Sequence, residues 1–137
     1  MRKLYFITII SVSLFVYSCD NEDEIPDPPV GTYTPTIIFI EPADGEILDS
    51  GDELHMEVDF DYAGNTIHHV GLFVINEALN DTVFEFEEHA DTPDFYSLHE
   101  HIVTDVAVAT EYMVVAWSSN SDESIVVSEH VHVTVNP

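Results

Sequence analysis

The sequence predicts an all-β domain built as a sandwich of about seven strands, and three observations carry that prediction. From Thr36 onward apolar side chains recur at every second position. The pattern is clearest in Leu54, Met56, Val58, Phe60 and Tyr62, with His55, Glu57, Asp59 and Asp61 between them. Turn-forming residues interrupt the chain roughly every 8–12 residues, the spacing of short antiparallel strands. No comparable stretch carries the helical period of an amphipathic helix.

The elements follow in chain order. Residues 1–18 read as a targeting segment: Arg2 and Lys3 form a positive start, an apolar run of about fourteen residues extends from Leu4 to Tyr17, and Ser18 precedes Cys19. A run this short is a signal-peptide core and falls short of a bilayer span. Cys19 is the only cysteine in the chain, so it has no disulfide partner. The segment resembles a bacterial lipoprotein signal, with Val16-Tyr17-Ser18-Cys19 departing from the usual Leu-Ala-Gly-Cys form. Looser versions are typical of the Bacteroidota. There, an acidic stretch such as Asp20-Asn21-Glu22-Asp23-Glu24 resembles the signal for display on the cell surface. The resemblance implies that Cys19 is lipidated and that the protein is an outer-membrane lipoprotein exposed at the cell surface. The membrane is then a partner through the lipid anchor alone. Residues 19–35 form a tether, in which acidic repulsion and four prolines favour an extended chain.

Residues 36–137 are the size of one domain. Thr36 to Glu41 is a first strand, closed by the turn Pro42-Ala43-Asp44-Gly45. Leu54 to Tyr62 is a half-buried second strand, ended by Ala63-Gly64-Asn65. Ile67 to Asn76 and, after Asn80-Asp81, Thr82 to Glu88 follow. Phe95 to Val103, Glu111 to Ser118 and Ile125 to Val135 complete the set.

Ile40-Glu41-Pro42-Ala43-Asp44-Gly45 with Ser50-Gly51-Asp52-Glu53-Leu54 resembles the opening of immunoglobulin-like modules common in Bacteroidota surface lipoproteins, His-rich ones among them. Tyr112 to Ala116, Ser119 to Ser124 and Val131 to Val135 are similar to their close. The resemblance implies an immunoglobulin- or fibronectin-III-like sandwich. The Cys-Trp-Cys core of antibody domains is absent, so the match is to architecture, and architecture does not give function.

In the usual sandwich order the first, second and fifth strands share one sheet and the third, sixth and seventh the other. Alternation then places His55, Glu57, Asp59 and Asp61 on the first outer face beside His99 and His101. The second outer face receives His69, Phe73, Ile75, Met113, Val115, Trp117, His130, His132 and Thr134. A register slip of one residue would exchange inner and outer sets.

Charge excludes partners. The only basic side chains are Arg2 and Lys3, against 27 carboxylates. A domain with no Lys or Arg has nothing to neutralise phosphate, which excludes nucleic acid. No nucleophile elbow, phosphate-binding glycine loop or HExxH pattern occurs, so an enzyme is not expected. Eight histidines remain. His99-Glu100-His101 and His130-Val131-His132 each place two imidazoles on one side of a strand, about 7 Å apart at the backbone. Zinc, copper or nickel accepts imidazole with a carboxylate, and His99, His101 and His55 are the preferred set. Calcium is weaker: Asp59-Phe60-Asp61 and Asp49-Ser50-Gly51-Asp52-Glu53 are oxygen-rich, and neither completes a calcium loop.

The second face offers a different partner. Trp117, Phe73, Met113, His130 and His132 can stack on a glycan or pack against a protein; alternatively, Trp117 is core. Asp81-Thr82-Val83 resembles the acceptor of Bacteroidota O-glycosylation, which makes Thr82 a modification candidate. The expected function is a lipid-anchored, non-catalytic binding module of the cell envelope. The alternative is a zinc- or copper-binding lipoprotein using the His-x-His pairs.

Overall fold

The computed structural model describes residues 32–137. The signal segment, Cys19 and the acidic part of the tether lie outside the described residues. Six strands make the fold: β1 (Thr36–Glu41), β2 (Glu46–Asp49), β3 (Glu53–Asn76), β4 (Asp81–Val103), β5 (Thr110–Ser119) and β6 (Val126–Asn136).

The two longest strands explain the architecture. β3 runs for 24 residues and β4 for 23, and they pair antiparallel along almost their whole length. Their first and second halves serve different sheets. The N-terminal half of β3 lies between β1 and the C-terminal half of β4, with Ile37 opposite Phe60 and Phe60 opposite Tyr96. Its C-terminal half lies between the N-terminal half of β4 and β5, which is followed by β6 and then β2. A three-stranded sheet thus faces a five-stranded one, as in immunoglobulin- and fibronectin-III-like sandwiches.

The corner between the sheets is a bulge. Pairing slips between Tyr62 and Thr66 and again between Ile67 and His69. Gly64 has φ +77°, and Asp91 and Asp94 in the partner strand have φ +42° and +66°. Aspartate tolerates this left-handed region because its short side chain bonds locally. Here the Gly64 N–H donates to Asp94 Oδ1 at 2.6 Å, and His68 Nδ1 lies 3.0 Å from Asp91 Oδ1. The turn residues that divide four strands in the sequence therefore mark bends within two.

One apolar cluster joins the halves. Leu54, Met56, Val58, Phe60 and Leu98 come from the smaller sheet; Val70, Leu72, Val74, Tyr112, Val114, Ala116, Val131, Val133 and Val135 come from the larger. The buried positions alternate as the sequence requires. Each fully buried aliphatic or aromatic side chain contributes about 1.5–3 kcal/mol of transfer free energy, which fixes the register.

Two features depart from the sequence pattern. β2 pairs parallel with β6, Glu46 opposite Val133 through Asp49 opposite Asn136. Four residues at a sheet edge, with Ile47 exposed, leave no clear period. The packed chain also begins before Thr36. Tyr33, assigned to the tether by composition, is buried, and its hydroxyl meets Ser118 Oγ at 2.6 Å. Ser118 donates its own proton to the His69 carbonyl at 2.8 Å, so Tyr33 is the donor to Ser118. Burial pushes the Tyr33 hydroxyl above its ordinary pKa.

Candidate binding site

The smaller sheet carries the histidines expected on it. In the β3–β4 register His55 faces His101, Glu57 faces His99 and Asp59 faces Ser97. His55, Glu57, His99 and His101 line a shallow depression of 130 Å³ with Glu41, Met56 and Glu100. The imidazoles are engaged separately. His55 Nε2 lies 3.3 Å from Glu53, His99 Nδ1 lies 3.8 Å from Glu57, and the His55 and His101 rings stand 6.1 Å apart. His55, His99 and His101 share a face but do not bring three ligand atoms together within 4.8 Å.

The same face holds a serine beside an imidazole. Ser97 Oγ is 3.2 Å from His99 Nε2, whose other side faces Glu57. The geometry resembles a hydrolytic triad only in outline. Ser97 donates to Asp59 Oδ1 at 2.7 Å, so its proton is not directed at the imidazole.

The calcium candidates are used as turn supports. The Asp49 N–H donates to Asp52 Oδ2 at 3.1 Å, and Asp59 accepts from Ser97. Among the described residues neither segment gathers three carboxylates. On the larger sheet the His130 and His132 rings meet edge to face at 5.4 Å, and His132 Nδ1 lies 3.3 Å from Glu77. Thr82 is exposed near the start of β4, opposite Ile75.

The more developed site is elsewhere on that larger face. Gly71 and Trp117 are cross-strand partners. The indole covers the glycine so closely that a Cβ there would lie 2.4 Å from Nε1 and 2.5 Å from Cε2. An aromatic ring laid over a strand glycine seals backbone that no side chain covers. Gly71 has ordinary strand φ, so the requirement is space and not torsion. The Phe73 ring stacks beside the indole at 6.2 Å and 17°. Trp117 and Phe73 are thus half-buried on the outer face, where alternation places them, and outside the core cluster.

Beside this pair opens a pocket of 390 Å³ lined by Phe73, Val115, Trp117, Ser119, Glu123, Val126 and Ser128. Met113, His130 and His132 of the expected partner face do not line it. Two buried polar atoms of the lining residues have no hydrogen-bond partner, Trp117 Nε1 and Ser119 Oγ, and a third, His69 Nδ1, belongs to the residue paired with Ser119. His69 and Ser119 face each other across β3 and β5. Each such orphan costs about 1–3 kcal/mol, a burden that folded proteins concentrate where something else supplies the partner.

His69 is an outward residue only 3% exposed. The His89 ring sits 3.9 Å from its ring, centroid to centroid, and two carboxylates approach Nδ1: Glu87 at 3.9 Å and Glu123 at 4.0 Å. Among the described residues, His69, Glu87 and Glu123 are the group whose ligand atoms lie within 4.8 Å of one another. The cluster has the donor types and spacing to take a metal ion.

Glu123 is held there by the β5–β6 loop. Its φ is +57°, and its N–H donates to the Asn120 carbonyl at 3.0 Å. Asn120 Oδ1 accepts from the Ile125 N–H, and Asp122 Oδ1 accepts from the Ser124 N–H. The bonds from Ser124 hold the Asp122 carboxyl below its usual pKa.

Sequence reasoning placed His69 on this face but did not connect it with Glu87 or Glu123. Glu87 joins it by crossing the β3–β4 hairpin, opposite Gly71, and Glu123 by loop closure. One signal was present: a glycine within an apolar strand marks close approach of another group.

No family model matches the sequence, and no curated protein does. Solved structures with a similar course of chain include fibronectin(III)-like modules of Clostridium thermocellum CbhA, at 14% identity. The likeness covers 74% of this chain and 96% of that one at a TM-score of 0.47. A superoxide reductase (neelaredoxin) from Ignicoccus hospitalis is similar at 12% identity, over 76% of this chain and 81% of that one, with a TM-score of 0.48. An engineered protein is similar at 15% identity and a TM-score of 0.49 over 76% of this chain, which spans 20% of that protein. Likenesses of this degree carry no inference about the chemistry of the site.

Proposed function

We propose that the protein is a non-catalytic binding module of the cell envelope, whose ligand enters the pocket beside Trp117 on the outer face of the larger sheet. The observation that carries this reading is a pair of buried, unpartnered polar atoms among the lining residues of an apolar pocket: Trp117 Nε1 and Ser119 Oγ. Stacked aromatic rings with a few convergent polar groups are the usual make-up of a small-ligand site, and 390 Å³ lies within the usual size.

The chemistry selects an uncharged or cationic ligand with a flat apolar face and hydroxyl or amino groups. Glu123 in the wall and Glu87 nearby repel anions, and no Lys or Arg among the described residues attracts them. Attachment through Cys19, and display at the outer membrane, rest on the targeting segment and the acidic stretch behind it. The zinc- or copper-binding alternative at His99, His101 and His55 has less support, because these exposed imidazoles do not bring three ligand atoms together.

The test uses Trp117, the only tryptophan of the chain. Its emission is followed while neutral monosaccharides, disaccharides and small organic amines are titrated into the full chain. Saturable change that is lost in Ser119→Ala or Glu123→Gln supports the reading. No saturable response at millimolar concentration, from a chain with wild-type circular dichroism, overturns it.

A further inference from the structure

We propose that His69, Glu87 and Glu123 form a mononuclear site for a divalent first-row transition ion, with zinc the best match to the donor set. The site shares Glu123 with the wall of the pocket, and its ligand set stands whatever the pocket binds.

Three observations converge. The first is geometric. His69 Nδ1 stands 3.9 Å from Glu87 Oε1 and 4.0 Å from Glu123 Oε1. Zinc holds nitrogen and carboxylate oxygen at about 2.0–2.2 Å, which sets its tetrahedral ligands about 3.3–3.5 Å apart. The observed spacings exceed that edge by roughly half an ångström, a closure that two glutamate side chains, 51% and 65% exposed, make by rotation. The spacings are too long for hydrogen bonds, so the carboxylates surround the nitrogen without satisfying it.

The second is the state of the imidazole. His69 is 3% exposed, and its Nδ1 is a buried atom with no partner. The residue is fixed from behind, where Ser118 holds its carbonyl and Tyr33 holds Ser118. A nitrogen immobilised, desolvated and flanked by two carboxylates is a preformed first ligand.

The third is charge. Two carboxylates directed at one point repel unless a cation lies between them. The described residues include no Lys and no Arg, so the chain itself offers no strong cation. One imidazole with two carboxylates is a nitrogen–oxygen set that zinc accepts readily; calcium prefers an all-oxygen set.

The three ligands come from three places: β3, β4 and the β5–β6 loop. An ion would therefore tie the loop to the sheet. Glu123 also lines the Trp117 pocket, so loading the ion reshapes one wall of it.

The test is calorimetric titration of the full chain with zinc chloride, with manganese and calcium chlorides as comparisons. The expected result is one tight zinc site per chain, with affinity at least tenfold weaker in Glu87→Gln and in Glu123→Gln. The triple variant His55→Ala/His99→Ala/His101→Ala retains wild-type affinity. Glu87 and Glu123 are exposed, so their variants keep the fold even if His69→Gln does not; circular dichroism of the apo proteins verifies this. Two results overturn the proposal. One is no zinc bound at about 100 μM. The other is tight binding that survives in Glu87→Gln/Glu123→Gln, which assigns the ion to other histidines.

Discussion

Replacing Gly71 by alanine adds one methyl group and tests the account of Trp117 directly. That methyl carbon would lie 2.4, 2.5 and 2.6 Å from Nε1, Cε2 and Cζ2 of the indole. Carbon contacts settle at about 3.5–4.0 Å, so more than an ångström of overlap must be relieved. The indole is rigid and wedged beside Phe73, and Gly71 lies in a strand paired on both sides. The ring must swing away or the strands must separate. Overpacking of this kind costs about 1–3 kcal/mol. The gain in strand preference of alanine over glycine offsets about 0.5–1 kcal/mol of it. A net loss near 1–2 kcal/mol lowers the melting temperature by roughly 5–15 °C for a domain of this size. Urea unfolding followed by circular dichroism gives the stability. Native-state emission of the single tryptophan gives the position of the ring and should shift to longer wavelength. A double-mutant cycle isolates the cause, because in a Trp117→Ala background the same alanine has nothing to strike and is neutral or stabilising. Wild-type stability with unchanged emission in Gly71→Ala would refute the argument.

The remaining predictions concern titration, packing and the ion. Tyr96 donates to Glu88, and burial followed by that neighbouring carboxylate pushes its hydroxyl pKa up to about 12. A folded pKa above the unfolded value of about 10 stabilises the fold fully below pH 10, and that stability is lost as the pH rises from about 10 to 12. Urea midpoints at pH 8 and pH 11 should converge in Tyr96→Phe relative to wild type, with buried Tyr33 leaving a residual slope of the same sign. Phe60 is fully buried where β1, β3 and β4 meet, so Phe60→Ala should cost about 3–5 kcal/mol in chemical denaturation. Zinc at one hundred times its dissociation constant should stabilise the chain by about 2.7 kcal/mol in thermal melts, and Glu123→Gln should abolish most of the gain.

What the sequence made legible, and what it did not, divides along one physical line. Alternation places side chains correctly on faces because burial of Val58 or Val114 enforces the register residue by residue. Both outer faces, including Trp117 and Phe73 on one and His99 and His101 on the other, follow from it. Alternation does not give side-chain convergence along a face. His99 and His101 stand at ligand spacing by sequence, yet His99 meets Glu57 while His101 lies beside the ring of His55. His69 looks like one outward residue among many, and becomes a ligand candidate only when β4 and the β5–β6 loop bring Glu87 and Glu123 against it. Continuity across a bend was also hidden. Gly64, Asp91 and Asp94 read as turn chemistry, and they are turn chemistry, placed inside two strands instead of between four.

The absence of Lys and Arg bears on the site more than on the fold. A pair of surface carboxylates beside an ammonium or guanidinium is an ordinary exposed ion pair that contributes little. Here that explanation is closed for every described carboxylate, and histidine is the remaining side chain able to carry positive charge. Five histidines stand within 4 Å of a carboxylate: His55, His68, His69, His99 and His132. Four of these have side chains 31–62% exposed, where water can solvate both partners. His69 alone combines two carboxylates with burial and an unpartnered nitrogen. Solvation reaches both partners of the other pairs, whereas here it reaches Glu87 and Glu123 but not His69 Nδ1, which is the physical reason to look for a cation among the three.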